Sequence, residues 1–324
     1  MHRPTLVIAY LIVALFALCG RVRAEDESFV NAATDPSFHR DAHGMFIGST
    51  RVGSATTSDG QSTGMTFSQI GAATNLWNDE HNQLLFGAQY GSRTFDRQLS
   101  LPGGIVLPDR IDRASGSLVY KHITDNDVSL VQSIQLARIG GDSLSGPTTN
   151  NIQLIGLASI MSEPGYVWLY GYMWSYAGNG KISIPIPLIV YFSGASEIFS
   201  WYAGFPVMGL SYSPHPDLSL ALDWGLGGGP SAAAFYKVSG RNYARLTIGD
   251  ETWTYRVPGP GEKVVTYYAE RATIGWSYLP YFERRRSVGV NLFLGWDLDR
   301  QIGSNTMLKM GKAPFSGFTI GFGF

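Results

Sequence analysis

The chain has 324 residues, 24 Lys+Arg against 25 Asp+Glu, and only 15% charged residues, where soluble domains carry about 25%. So little charge, balanced between the signs, excludes the electrostatic footprint of a nucleic-acid binder. Cys19 is the only cysteine, which excludes a disulfide framework and cysteine-ligated metals.

Residues 1–24 read as an export signal. Arg3 gives the positive start, Leu6 to Cys19 is apolar, and Val22-Arg23-Ala24 precedes the acidic Glu25-Asp26-Glu27. Cleavage is placed between Ala24 and Glu25. The apolar stretch is too short to span a bilayer. Leu18, rather than a small residue, precedes Cys19, which argues against lipidation. Losing the signal removes Arg3, Arg21 and Arg23 and no acid, so the formal charge moves from −1 to −4.

Residues 25–62 are polar and rich in Gly, Ser and Thr, and read as a mobile N-terminal segment with a possible short strand at 44–50. His39 and His43 lie four apart in it, but without helical periodicity they make no metal site. From residue 63 the chain alternates apolar and polar residues in runs of roughly ten, separated by turn formers. This is the pattern of membrane-spanning strands. The runs are 63–77, 82–92, 110–123, 128–139, 151–161, 166–176, 181–192, 205–213, 217–225, 231–238, 243–255, 264–279, 287–297 and 314–324. No segment after the signal holds 18 consecutive apolar residues, so spanning helices are excluded.

In 166–176, Tyr166, Trp168, Tyr170, Tyr172, Trp174 and Tyr176 take every second position. Only a strand collects them on one face. They form either a lipid-facing aromatic girdle, the favoured reading, or a lumen lining of rings and hydroxyls. Asn179-Gly180 is a hairpin turn, and Pro185 and Pro187 predict a bulge or an imperfect ladder in the next strand. Gly225-Leu226-Gly227-Gly228-Gly229-Pro230 lacks the Lys-Ser/Thr of a phosphate loop and reads as a flexible connection. Glu283-Arg284-Arg285-Arg286 marks a membrane boundary. In 287–297, Val288, Val290, Leu292, Leu294 and Trp296 are assigned to lipid. Gly289, Asn291, Phe293, Gly295 and Asp297 are assigned to the lumen. At the C-terminus, Phe318, Ile320, Phe322 and Phe324 form a second apolar row.

The signal, the alternating runs and this terminal row resemble a bacterial outer-membrane β-barrel. The resemblance implies an all-β fold, an antiparallel transmembrane barrel closed on itself, spanning residues 63–324. It also implies outer-membrane lipid as surroundings, and the barrel-assembly machinery as a partner reading Phe318, Ile320, Phe322 and Phe324. The segment Gly204–Leu220 resembles a family of uncharacterised outer-membrane barrels. The strand count is 12 or 14, since single-chain barrels of this class have even numbers. With 14, the short turns fall on the periplasmic side in the C-terminal half. Upstream, the long connections 93–109 and 140–150 land there too, so either a strand is miscounted near 151–213 or the barrel is less regular than this scheme; promoting 44–50 would then restore an even total.

The resemblance implies fold and location and not chemistry; the leading reading of function is a channel or transporter for a small solute. The alternatives are a lipid-modifying enzyme and a purely structural barrel. The His-x-Ser-Asn-Gly type motif of outer-membrane phospholipases is absent. His81, His122 and His215 sit at turns or strand ends, where solvation explains them, so no catalytic residue, cofactor or metal is assigned. Oligomeric state is left open.

Overall fold

A computed structural model describes residues 44–323, apart from 80, 125–127, 142–143, 145–147, 164–165, 177–183, 194–195, 197, 226–227, 258–262, 279–286 and 305. The signal, its cleavage site, His39, His43, Asn179-Gly180, Glu283–Arg286 and Phe324 lie outside the described residues.

The strands in chain order are β1 (Gly44–Thr56), β2 (Ser62–Asn78), β3 (Asn82–Phe95), β4 (Ser100–Leu101), β5 (Ile105–Val106), β6 (Arg110–Ile123), β7 (Ser129–Gly141), β8 (Thr148–Glu163), β9 (Tyr166–Tyr176) and β10 (Ile186–Ser193). They continue as β11 (Phe199–Phe205), β12 (Val207–His215), β13 (Leu218–Gly225), β14 (Gly228–Ser239), β15 (Asn242–Val257), β16 (Lys263–Tyr278), β17 (Ser287–Gly303), β18 (Met307–Met310) and β19 (Ala313–Gly323). Each wall strand pairs antiparallel with its sequence neighbour, and β1 pairs with β19 from Gly44↔Gly323 to Val52↔Phe315. The sheet is therefore a closed barrel. β18 and β19 both pair with β17 and form one stave interrupted at Gly311-Lys312, so the wall has 16 staves. β4 and β5 stand apart as a small hairpin in the 96–109 connection.

The count of 12 or 14 is thus corrected to 16. β1 begins at Gly44, so the barrel starts there rather than at residue 63. β11 occupies Phe199–Phe205, mostly in the gap between the expected runs 181–192 and 205–213. Both strands are hard to see for a physical reason: β1 mixes Ser, Thr, Gly and Arg into its apolar row, and β11 has only seven residues. With β11 restored, both termini and the short connections 79–81, 124–128, 216–217 and 240–241 fall at one end. The long connections 96–109 and 142–147 fall at the other. That removes the parity conflict, whose source was indeed within 151–213. Short turns mark the periplasmic end of such barrels, and the two ends are called the turn end and the loop end below.

Alternation decides the faces. On β17, Val288, Leu292, Leu294 and Trp296 are 46–52% exposed, while Asp297 is wholly buried. The lipid and lumen sets of 287–297 stand as assigned. Phe318, Ile320 and Phe322 pair with Leu292, Val290 and Val288 on that outer face, and Ile320 also pairs with Ile47. An apolar outer band of this kind suits hydrocarbon, and closure leaves no strand edge unpaired within it.

Two local expectations change. β10 keeps an unbroken register with β9 from Ile186↔Met173 to Ser193↔Tyr166, so Pro187 makes no bulge there; its ring points outward. The glycine cluster is mostly wall: Gly225 closes β13, Gly228–Pro230 open β14, and Gly225 pairs with Gly228.

Candidate functional site: a lumen closed at the loop end

Near the turn end, lumen-facing side chains are small and polar or only partly buried. Ser211, Ser219, Ala221, Ser231, Ala233 and Thr247 are half-buried, and Arg245 is exposed over the Phe235 ring at 5.3 Å. Tyr202 donates to Asp223 across 2.7 Å in the same region. One sector, from β8 to β12, is instead lined by packed apolar groups, including Leu157, Leu169, Val190 and Val207. This half of the lumen has room for solvent.

The loop end is filled. Leu99, Leu101, Ile105 and Leu107 of the 96–109 connection are at most 5% exposed. They pack with Trp253, Tyr255, Val265, Ile302, Met310 and Phe315 of the wall into one apolar cluster. The hairpin is short because Gly103 and Gly104 turn it at φ +82° and +73°, a region that L side chains rarely adopt. Leu107 N–H donates to Leu99 O (2.9 Å), and Ser100 exchanges bonds of 3.0 and 2.7 Å with the Gln61 side chain. At the tip, Lys263 Nζ donates to Gly103 O at 2.7 Å. β3, which launches the hairpin, and β16, which carries Lys263, are five steps apart around the wall. The hairpin therefore crosses the mouth as a lid.

Below the lid lies a layer of buried charge. Asp297 accepts from Arg271 at 2.7 and 3.1 Å and from the Tyr267 hydroxyl at 3.0 Å. Arg300 Nε donates to the same hydroxyl at 3.1 Å. Arg271 also pairs with Glu251, which faces Arg93 of β3 at 4.0 Å. Arg93 is 6% exposed and sits over Phe67 (4.7 Å) and Trp253 (4.8 Å), and Arg271 sits over Phe315 at 4.3 Å. Cations over ring faces are stabilised electrostatically, more so when desolvated. Because β3 and β15 are six steps apart around the wall, the Arg93–Glu251 and Arg93–Trp253 contacts bridge the lumen. Cα atoms of β7 and β15 also approach within 8 Å. The barrel is pinched at this level.

Of this network, only Asp297 was placed in the lumen from sequence. Arg93, Glu251, Arg271 and Arg300 are scattered over more than 200 residues, and nothing local marks them as partners. The only available signal was charge at inward positions of otherwise apolar strands.

The aromatics of β9 alternate with side chains buried in the lumen. Val167 and Leu169 between them are 2% and 0% exposed in the lumen, while Tyr170 and Tyr172 are 41% and 44% exposed outside. Trp168 packs on Tyr191 at 4.8 Å, and Tyr191 on Trp201 at 5.7 Å. A Cβ at Gly156 would sit 2.5 Å from the Tyr172 ring, so glycine there lets the ring lie flat on the wall. The terminal row Phe318, Ile320 and Phe322 is outward as well.

The histidines are not brought together. His122 Nδ1 lies 2.9 Å from Asn82 Oδ1 at a strand end, His215 is beside Asp217, and His81 is in the turn that Asp79 caps. No cluster of three or more metal-ligating side chains occurs among the described residues. At the loop-end rim, Asp96 accepts from Arg51 at 2.6 and 2.5 Å. The Arg51 hydrogen bond holds the Asp96 carboxyl below the usual carboxylate range.

No protein-family model matches the chain, and no curated protein matches it. Among solved structures it is similar to the P. putida toluene transporter TodX, at 11% identity and TM-score 0.41 over 90% of this chain and 92% of that one. It is also similar to a Pseudomonas aeruginosa FadL homologue, at 9% identity and TM-score 0.41 over 94% and 96%. The translocator domain of the autotransporter NalP from Neisseria meningitidis gives 10% identity and TM-score 0.32 over 96% and 97%. Likeness this distant carries no argument about this chain, whose strand number and closure rest on its own hydrogen-bond ladder.

Proposed function

We propose that the chain is an outer-membrane channel for a small solute, gated by the 96–109 hairpin. The observation that carries this reading is the contrast between the two halves of one lumen. Outside the apolar sector from β8 to β12, the turn-end half is lined largely by small, half-buried side chains, whereas the loop-end half is blocked by a discrete hairpin and by the bridged charge layer beneath it. The hairpin's tip is held to β16, five steps around the wall, by the Lys263–Gly103 bond. The apolar outer band and the terminal aromatic row support insertion in the outer membrane through the barrel-assembly machinery, with export directed by residues 1–24.

The test is release of a small sugar from proteoliposomes. Wild type should release slowly. A variant with residues 98–107 replaced by a short Gly-Ser linker and with Arg93 and Glu251 replaced by alanine, which removes both the hairpin and the bridge beneath it, should release at least tenfold faster. Equal, slow release by both would remove the channel reading.

A further inference from the structure

The wall is uneven in height. β11, β12 and β13 have 7, 9 and 8 residues, whereas β15, β16 and β17 have 16, 16 and 17. The loop-end tips of the short side are tight, since Ala203 pairs with Met208 and Gly225 with Gly228. At about 3.3 Å per residue and a tilt of about 40°, a stave of this length rises about 20 Å. The apolar band of outer-membrane barrels is about 25 Å tall. The short side therefore falls about 5 Å below an ordinary hydrocarbon layer.

The outer side chains follow the same limit. Phe199 and Phe205 stand at the two ends of β11 and are 44% and 51% exposed, and aromatic girdles flank the apolar band of such barrels. The tip Phe205-Pro206-Val207 has no polar side chain. On the tall side the outward rows turn polar at a similar height. Asp250 follows Ile248 eight residues above Asn242, the turn-end residue of β15, and Asp250 pairs with Glu270 of β16. On β7, Arg138 follows Leu136 in the outward row. Charge marks the edge of hydrocarbon because burying it there is costly. Beyond that edge β15–β17 continue as a collar, while β11–β13 end at the membrane surface.

We propose that the β11–β13 side is a bilayer-thinning face, and that its partner is membrane lipid with a hydrocarbon layer about 20 Å thick beside it. A thicker layer would bury the backbone of the low rim, where no stave continues to satisfy it, and would draw in Asp250 and Glu270 on the tall side. Local thinning is how a bilayer meets a wall that is too short. The face rests on strand lengths and stands whether or not the lumen conducts.

The test places nitroxide labels at the two ends of the short side, in Phe205→Cys and His215→Cys of the mature barrel in dioleoylphosphatidylcholine. Depth is read from the access of oxygen and of a nickel chelate to each label. Both labels should lie at the edge of the hydrocarbon layer. Either label more than about 5 Å inside it would overturn the proposal. A second measurement needs no substitution: the urea midpoint of wild type in monounsaturated phosphatidylcholines of fourteen to twenty carbons per chain. The midpoint should fall as the chains lengthen, and a midpoint that stays level or rises would equally overturn the proposal.

Discussion

Replacing Asp297 by alanine probes the charge layer at its most connected point. Asp297 has no solvent exposure and accepts three hydrogen bonds: two from Arg271 and one from Tyr267. Charge-assisted bonds of this kind contribute about 1.5–3 kcal/mol each, and removing one partner of a buried ion pair costs about 3–5 kcal/mol. Those ranges overlap because the bonds are not independent, and Arg271 keeps Glu251. We therefore expect Asp297→Ala to lose about 3–5 kcal/mol. Asp297→Asn, which keeps the shape and one acceptor, should lose less. The assay is urea unfolding of the refolded barrel in phospholipid vesicles, followed by tryptophan fluorescence. Since Trp253 stacks on Tyr267 at 5.2 Å, its emission reports the layer as it breaks. An Asp297→Ala midpoint within about 1 kcal/mol of wild type would refute the claim that the layer is held by mutual compensation.

Other outcomes follow from single contacts. Lys263→Ala removes the tether to Gly103 and should speed hydrogen exchange of the 98–107 hairpin without changing the amount of folded barrel recovered in proteoliposomes. Asp96 is held below its usual range by Arg51, so its contribution to stability is full above about pH 4, the unfolded value. It is lost as pH falls through the lowered folded value, and Asp96→Asn should flatten that acid-side dependence in hydrogen exchange of the 96–109 segment. The pair is partly exposed, so the effect should stay below about 1 kcal/mol. Deleting Phe324, or replacing Phe322 by serine, should lower assembly into the outer membrane while export across the inner membrane continues. Cell fractionation with a protease-protection assay separates the two steps, and unchanged assembly of both variants would show that the row is not an assembly signal.

Period-two alternation made most of the wall legible in the sequence, because each lipid-facing row must be continuously apolar while the lumen row is free to vary. The outward aromatics of β9 and the lipid row of β17 were therefore readable residue by residue. β1 and β11 were not readable as barrel staves. Arg51 and Ser49 interrupt the outer row of β1, and β11 is too short to establish a period. The lid was hidden for a different reason. Leu99, Leu101, Ile105 and Leu107 alternate like a membrane strand, yet the glycines at 103 and 104 divide them into two short arms. The arms bury their side chains under the mouth instead of in the wall. The charge layer is the least legible feature, since its members meet only after β3 and β15 face each other across the closed barrel.

Sided access to the lumen tests the central claim most directly, and the absence of cysteine after residue 24 makes it practical. A cysteine placed at Ala221, a lumen-facing position on β13, reports which end admits a membrane-impermeant thiol reagent. In intact cells the wild-type background should leave Ala221→Cys unlabelled from outside, and reagent supplied from the periplasmic side should label it. Adding the 98–107 linker replacement together with Arg93→Ala and Glu251→Ala should open it to the outside. Rapid labelling from outside with the hairpin intact would contradict a lumen closed by the lid.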